Sequence, residues 1–279
     1  MKKLTAEVDC RGVSCIVDAV SLLESGVPAT TTAATHDTRI DCAAANAALE
    51  PLSALQRIRW AVDALGDDVV LLSSMQKTAV VLMHLFHRLG LSNEVLFVDT
   101  GYHFFETLKM RDAYMRRYRL NIVTLYPAST TEEQETLHGS KLFASVAGQP
   151  ECCRMRKEAP LLAHLATKRA PALVNGLRRA EGGKRADIKP FSADRRTGGY
   201  QLSPLYDWSG DDVRAYISEH GLLLHPLHDA GYPSIGCYPC TTPVGPGEDA
   251  RAGRWRHLRT LDEPAPAYCG INFSDGAGI

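Results

Sequence analysis

The sequence has no excess of either charge, no apolar run long enough to cross a bilayer, no internal repeat and no glycine-rich loop ending in Gly-Lys-Ser/Thr. Each absence excludes something. With 31 basic against 32 acidic side chains there is no overall field to hold nucleic acid or an anionic membrane, so any anion must be bound by local clusters. The apolar stretches fall short of the roughly 20 residues that span a hydrocarbon core. The opening MKKLTAEVDCRG has two lysines but no apolar segment of the secretory kind, so the expected location is cytoplasmic. Eight cysteines in such a chain point to metal or redox chemistry rather than to a disulfide scaffold.

What is present is the material for a substantial core, 45% hydrophobic residues over 279 positions, in one large domain or two small ones. The first 45 or so residues include PATTTAATHDT (28–38), which has no periodicity and reads as a loosely attached arm. From Leu49 the pattern changes. Leu52, Leu55, Ile58, Ala61 and Leu65 recur at helical spacing up to Gly66, and Val69 to Leu72 reads as a short buried strand. The polar turn Ser73-Ser74-Met75-Gln76-Lys77 then leads into a helix over 78–89 and a strand over 94–98 that ends in Asp99-Thr100-Gly101. A helix over 105–118, a strand over 121–125, a helix over 156–168, a strand over 172–175 and a helix over 210–219 continue the alternation. The spacing predicts an α/β fold with a mainly parallel sheet, helices on both faces, and ligands at the C-terminal strand ends. From Gly231 onward glycine and proline dominate, which predicts an irregular C-terminal segment of turns and binding loops.

Several constellations in this frame can carry chemistry. The adjacent pair Cys152-Cys153 and the CxxC pair Cys237 and Cys240 supply four soft ligands, which suit an iron-sulfur cluster or zinc. An adjacent pair is unusual for structural zinc and favours the cluster, with buried reduced thiols as the bland alternative. Cys269, in Tyr268-Cys269-Gly270-Ile271-Asn272, lies near the C-terminus, where a thiolate can serve as a nucleophile or be an incidental exposed cysteine. Ser73, Ser74, Gln76 and Thr78 sit between a strand and a helix, where they either cradle an anion or merely cap the helix. Lys157, Arg178, Arg179, Arg251 and Arg254 are the cations available for phosphate or sulfate, although Arg251 and Arg254 at helical spacing also fit a solvated face. His103, His225 and His228 read as structural.

Together these residues resemble the assimilatory adenylyl-sulfate and phosphoadenylyl-sulfate reductases from about Leu49 to the end. The resemblance is carried by VDTGYHFFETLKMRD, EEQETLHG, ECCRMRKEAPLL, NGLRR, LSPLYDWSGDDV and YPSIGCYPCTTPVGPGEDARAGRW, followed by a late Cys-Gly. It implies a Rossmann-like fold of the adenine nucleotide alpha hydrolase-like kind. It assigns Cys152, Cys153, Cys237 and Cys240 to a [4Fe-4S] cluster. It makes Cys269 the nucleophile that takes sulfur from adenylyl sulfate as a Cys-S-sulfonate, which thioredoxin or glutaredoxin resolves to sulfite. Ser73, Ser74, Lys157, Gly176, Arg178, Arg179, Arg251 and Arg254 become the expected substrate contacts.

The chain departs from the family pattern in two places. Ser73-Ser74-Met75-Gln76 stands where a Ser-Phe-Gly turn is frequent, and Asn272 replaces a histidine of the tail. The expected division is an arm over 1–45, a nucleotide-binding α/β domain with the iron-sulfur site over 46–240, and a mobile tail carrying Cys269 over 241–279. The cluster cysteines favour adenylyl sulfate over the 3′-phosphorylated nucleotide, which Lys184 and Arg185 offer charges to meet. An adenylating or thiolating transferase and a non-catalytic metal protein that touches nucleic acid are the competing classes. No nucleic acid or membrane partner is expected, and a homo-oligomer is allowed.

Overall fold

A computed structural model describes residues 40–259. In chain order the elements are helices α1 (Cys42–Leu49) and α2 (Ala54–Leu65), strand β1 (Val69–Leu72), α3 (Lys77–Arg88), β2 (Val95–Val98), α4 (Phe105–Tyr118), β3 (Ile122–Leu125), α5 (Thr131–His138) and α6 (Gly148–Cys153). A single π-helical turn, Arg154–Glu158, joins α6 to α7 (Ala159–Leu165). β4 (Ala172–Val174), β5 (Phe191–Asp194), β6 (Gly199–Leu202) and α8 (Gly210–Glu219) follow.

The six strands form one sheet in the order β3-β2-β1-β4-β6-β5, parallel throughout except for the antiparallel edge strand β5. Alternation along each strand sends side chains to two cores. Val69, Leu71, Val95, Phe97, Ala172, Val174, Tyr200 and Leu202 face the larger one, under α2, α3, α4 and α8. Val70, Leu72, Leu96, Val98 and Leu173 face the smaller one, where Leu161 and Leu165 of α7 cover them. The chain leaves β1 for β2 on one side and returns to β4 on the other. A crevice therefore opens at the C-terminal ends of these two neighbours, the place where open α/β sheets take their ligands.

Four elements are absent from the sequence reading. α1 lies in an alanine-rich stretch, yet Asp41 caps it, and Ala45 and Leu49 are buried in the core. Residue 45, the expected end of the arm, thus falls inside a helix. α5 carries a capping box between Thr130 and Glu133 but little apolar periodicity. β5 and β6 contain Ser192, Asp194 and Gln201, which hide their strand character; Asp194 and Gln201 are buried and bond each other at 3.2 Å. The helix expected from about Arg156 begins at Gly148 instead, because Pro150 sits in its first turn, where a missing N–H costs nothing. Residues 241–259 fold back on the cysteine segment: Thr242 N–H donates to Gly253 O at 2.9 Å, and Trp255 is 1% exposed. No helix among the described residues is long and apolar enough to cross a membrane.

Arg57 ties the first two helices to the loop after β6. Its buried guanidinium donates to the carbonyls of Leu49, Glu50 and Pro204 and grips both oxygens of Asp207 at 2.7 Å, with its plane 4.5 Å from the Tyr206 ring centroid. Replacing it leaves three carbonyls and a carboxylate short of a donor. Arg57→Met is expected to lower the unfolding free energy by about 3 kcal/mol, measured by urea titration. A loss within 0.5 kcal/mol, the range of ordinary surface changes, contradicts the assigned role.

His225 is 1% exposed, with one ring nitrogen 2.9 Å from Thr107 Oγ1 and the other accepting from Leu227 N–H. Burial, then the neighbouring His228, lowers its pKa to about 4. The unfolded chain takes up this proton near pH 6.5 and the folded chain withholds it until about 4, so stability present at neutral pH is lost as pH falls through that window. Urea midpoints of the wild type are expected to drop between pH 7 and 5, and His225→Asn is expected to flatten that slope.

Candidate active site

The crevice holds a cavity of about 220 Å³. Leu72, Phe97, Val98, Leu177 and Ile235 give it apolar walls, while Ser73, Ser74 and Thr78 border it from the β1–α3 turn and Gly176 from the end of β4. Lys157, from the π turn, and Arg251 and Arg254, from one later segment, bring cations to it. No side chain caps the N-terminus of α3, and Gln76, Thr78 and Ala79 at that end line the same space, with twelve residues of aligned helix behind them. The arrangement fits an anion attached to a flat apolar group.

The β1–α3 turn is built without glycine. Met75 takes φ 58° and sends a fully buried side chain into the core, and the Ser73 hydroxyl accepts from its N–H at 3.3 Å. That strained turn is held from outside by Gln76, whose amide donates to Ile235 O at 2.8 Å and accepts from Ile235 N–H at 2.9 Å. Gln76, read as part of either an anion cradle or a helix cap, borders the cavity and uses its amide to clasp the segment leading to Cys237. Gly176 has no room for a side chain: a Cβ there meets Thr78 Oγ1 at 2.5 Å, so β4 and α3 approach as closely as they do only with glycine.

Arg254 is 4% exposed and donates to Ile235 O at 3.2 Å and Ser234 Oγ at 3.4 Å, with its guanidinium 4.7 Å from the Trp255 ring centroid. A Cβ on Gly236 collides with that guanidinium. Arg178 and Arg179, expected beside these residues, are placed elsewhere. Arg178 bonds the Trp208 carbonyl and Glu181, and Arg179 donates to Ile188 O and lies over the Tyr206 ring; neither lines the cavity. Glu181 and Arg185, paired with each other, border it instead.

Beside this space the structure brings the four expected cysteines around a second, small cavity, lined also by Tyr102, Arg156, Lys157 and Trp255. Lys157 and Cys237 line both cavities. Cys237 is brought here by backbone pairing with His103 and by Tyr238 N–H donating to Tyr102 O at 2.8 Å. Cys152 and Cys153 are brought by α6, and the π turn after them re-aims the helix so that Lys157 reaches the junction. Arg156, 3% exposed, fixes this corner by donating to the carbonyls of Thr100, Ser129 and Thr130 and to Gln134 Oε1.

The donor set suits a soft metal group. None of the four cysteines is in a disulfide, and Cys152, Cys237 and Cys240 are buried. Burial first, then the neighbouring Cys237, pushes the Cys240 thiol up to about 12; Cys152 is raised by the same two causes, and Lys157 opposes both shifts. Thiolates crowded in this way are stable only against compensating positive charge, which a metal group provides. Three sulfurs already meet neutral partners: Thr100 Oγ1 with Cys237 at 3.4 Å, Gln134 Nε2 with Cys152 at 3.8 Å and Gln149 Nε2 with Cys153 at 3.0 Å. No three His, Cys, Asp or Glu side chains among the described residues are drawn to metal-ligand spacing. Thr100 and Tyr102 lie in the VDTGYHFFETLKMRD motif, Gln134 in EEQETLHG and Trp255 at the end of YPSIGCYPCTTPVGPGEDARAGRW, whereas Gln149 lies in none of the motifs. Cys269 lies outside the described residues.

Residues 68–243 match the model of the phosphoadenosine phosphosulfate reductase domain. The chain belongs to that family. It is 41% identical to the adenosine 5′-phosphosulfate reductase of Mycobacteroides abscessus, over 82% of this chain and 91% of that one. With the enzyme of the same name from Streptomyces coelicolor the identity is 44%, over 74% and 85%. A solved structure of phosphoadenylyl-sulfate reductase from Candida auris, in a phosphate complex, shares the fold with a TM-score of 0.63 at 22% identity, covering 73% of this chain and 96% of that one. The fold read from the sequence is the fold of this family.

Because the atoms met by a Cβ on Gly236 are the mobile end of Arg254, Gly236→Ala is expected to unseat the arginine rather than unfold the chain. Affinity for a phosphate-bearing probe such as AMP, measured calorimetrically, is expected to fall about tenfold. Affinity equal to wild type contradicts the placement of Arg254 at the anion.

Proposed function

We propose that this chain reduces adenosine 5′-phosphosulfate to sulfite and AMP in assimilatory sulfate reduction, as the names of its relatives indicate for them. The observation that carries the reading is the junction of the two cavities: an apolar, cation-rimmed crevice for a nucleotide shares Lys157 and Cys237 with a site of four thiols.

In this mechanism the Cys269 thiolate attacks the sulfate sulfur. A bond forms between Cys269 Sγ and that sulfur, and the bond from sulfur to the phosphate oxygen breaks with its electron pair passing to that oxygen, releasing AMP. Negative charge grows on the departing phosphate. Lys157, Arg251 and Arg254 stabilise it more in the transition state than in the ground state. A dithiol protein, thioredoxin or glutaredoxin, then attacks Cys269 Sγ and expels sulfite. Its second thiol frees Cys269 and leaves the partner as a disulfide, so the two electrons come from the dithiol. Cys152, Cys153, Cys237 and Cys240 are the residues that hold a [4Fe-4S] cluster in this reading. When bound, the cluster would supply electrostatic polarisation beside the crevice, and Lys157 lines both cavities.

Anaerobically purified protein mixed with sulfur-labelled adenosine 5′-phosphosulfate is expected to retain label until thioredoxin releases it as sulfite. Cys269→Ser is expected to retain none. Label held equally by Cys269→Ser, or a clear preference for the 3′-phosphorylated nucleotide, contradicts the nucleophile or the substrate respectively.

A further inference from the structure

Adjacent cysteines on a helix point about 100° apart, so each of two successive thiols meets its own surroundings. Each of the tandem thiols here meets a glutamine amide from a different direction. Gln149 stands four residues before Cys153 in the same helix and donates Nε2–H to its sulfur at 3.0 Å. Gln134, on α5 and fully buried, donates Nε2–H to Cys152 at 3.8 Å, while its Oε1 accepts from Arg156 at 3.0 Å. Arg156 in turn is anchored to the carbonyls of Ser129 and Thr130, so the Gln134 amide cannot rotate to present its oxygen to the sulfur without losing that bond.

We propose that Gln149 and Gln134 are positioning residues that orient the tandem thiolates toward one metal group and slow its loss. This rests on the cluster reading above. The donors are neutral amides, so they direct the sulfur lone pairs without cancelling the charge that the metal needs from its ligands. Gln134 is locked through Arg156 to the loop before α5. Gln149 is partly exposed and held by its own helix, next to Cys153.

The test uses the full chain, purified anaerobically, as wild type, Gln149→Leu, Gln134→Leu and Gln134→Glu. Iron and sulfide content, visible absorbance and the rate of iron transfer to a ferrous chelator are followed, together with the unfolding midpoint of the metal-free protein. Gln149→Leu is expected to release iron about tenfold faster than wild type, with the metal-free midpoint unchanged. Gln134→Glu keeps an acceptor for Arg156 but loses the donor to sulfur, and is expected to release iron faster even if Gln134→Leu fails to fold. A wild type that loads iron and sulfide while Gln149→Leu and Gln134→Glu keep them as long overturns this inference alone. A wild type that takes up neither overturns the cluster reading and this inference with it.

Discussion

The paired hydrogen bonds between the Gln76 amide and the backbone of Ile235 are the interaction on which the rest of the site depends. They join the turn after β1, which holds the anion-facing helix end, to the segment that leads two residues later to Cys237. On one side of this clasp Met75 is pinned in the left-handed region by a buried side chain; on the other, Arg254 lies in the notch that Gly236 leaves open. The crevice therefore takes its shape from two segments far apart in sequence. The fold permits this because β1 and β4 are neighbours at the point where the strand order reverses.

This dependence explains which parts were legible in the sequence. Continuous apolar runs such as Val69 to Leu72 and the strand ending at Val98 announce buried parallel strands, and both appear where expected. Polar strands such as β5 and β6 do not announce themselves: the Asp194 and Gln201 side chains satisfy each other only once the hairpin has formed. The cysteines were legible because thiol spacing carries chemistry in itself. The arginines were not equally so. Nothing local distinguishes Arg254, seated on Trp255 at the cavity wall, from Arg179, stacked on Tyr206 away from it. Residue type gives the charge, and only the tertiary partners decide where the charge is presented.

The same limit applies to Gln76. Between a strand and a helix it reads as part of an anion cradle or as a helix cap, yet its amide both donates to and accepts from the Ile235 backbone. A clasp made with backbone atoms leaves no signature of itself in the side-chain type at position 235.

The two cavities pose opposite electrostatic problems, and Lys157 answers both. Thiols crowded in a buried pocket resist ionisation, as the raised Cys240 and Cys152 show, while an oxyanion in the crevice requires positive charge that water no longer supplies. A lysine on either wall alone serves one of these needs. Placed at the junction, its 8%-exposed side chain favours the thiolate form of Cys152 and Cys240 and the anionic ligand at once. The π turn is what puts it there: over Arg154–Glu158 a wider i→i+5 turn replaces the α-helical one and shifts the facing of the side chains that follow the cysteines. The electrostatics of the thiol site and anion affinity are therefore coupled through one side chain. A change that moves the thiols alters the charge the crevice presents, even when every crevice residue stays in place.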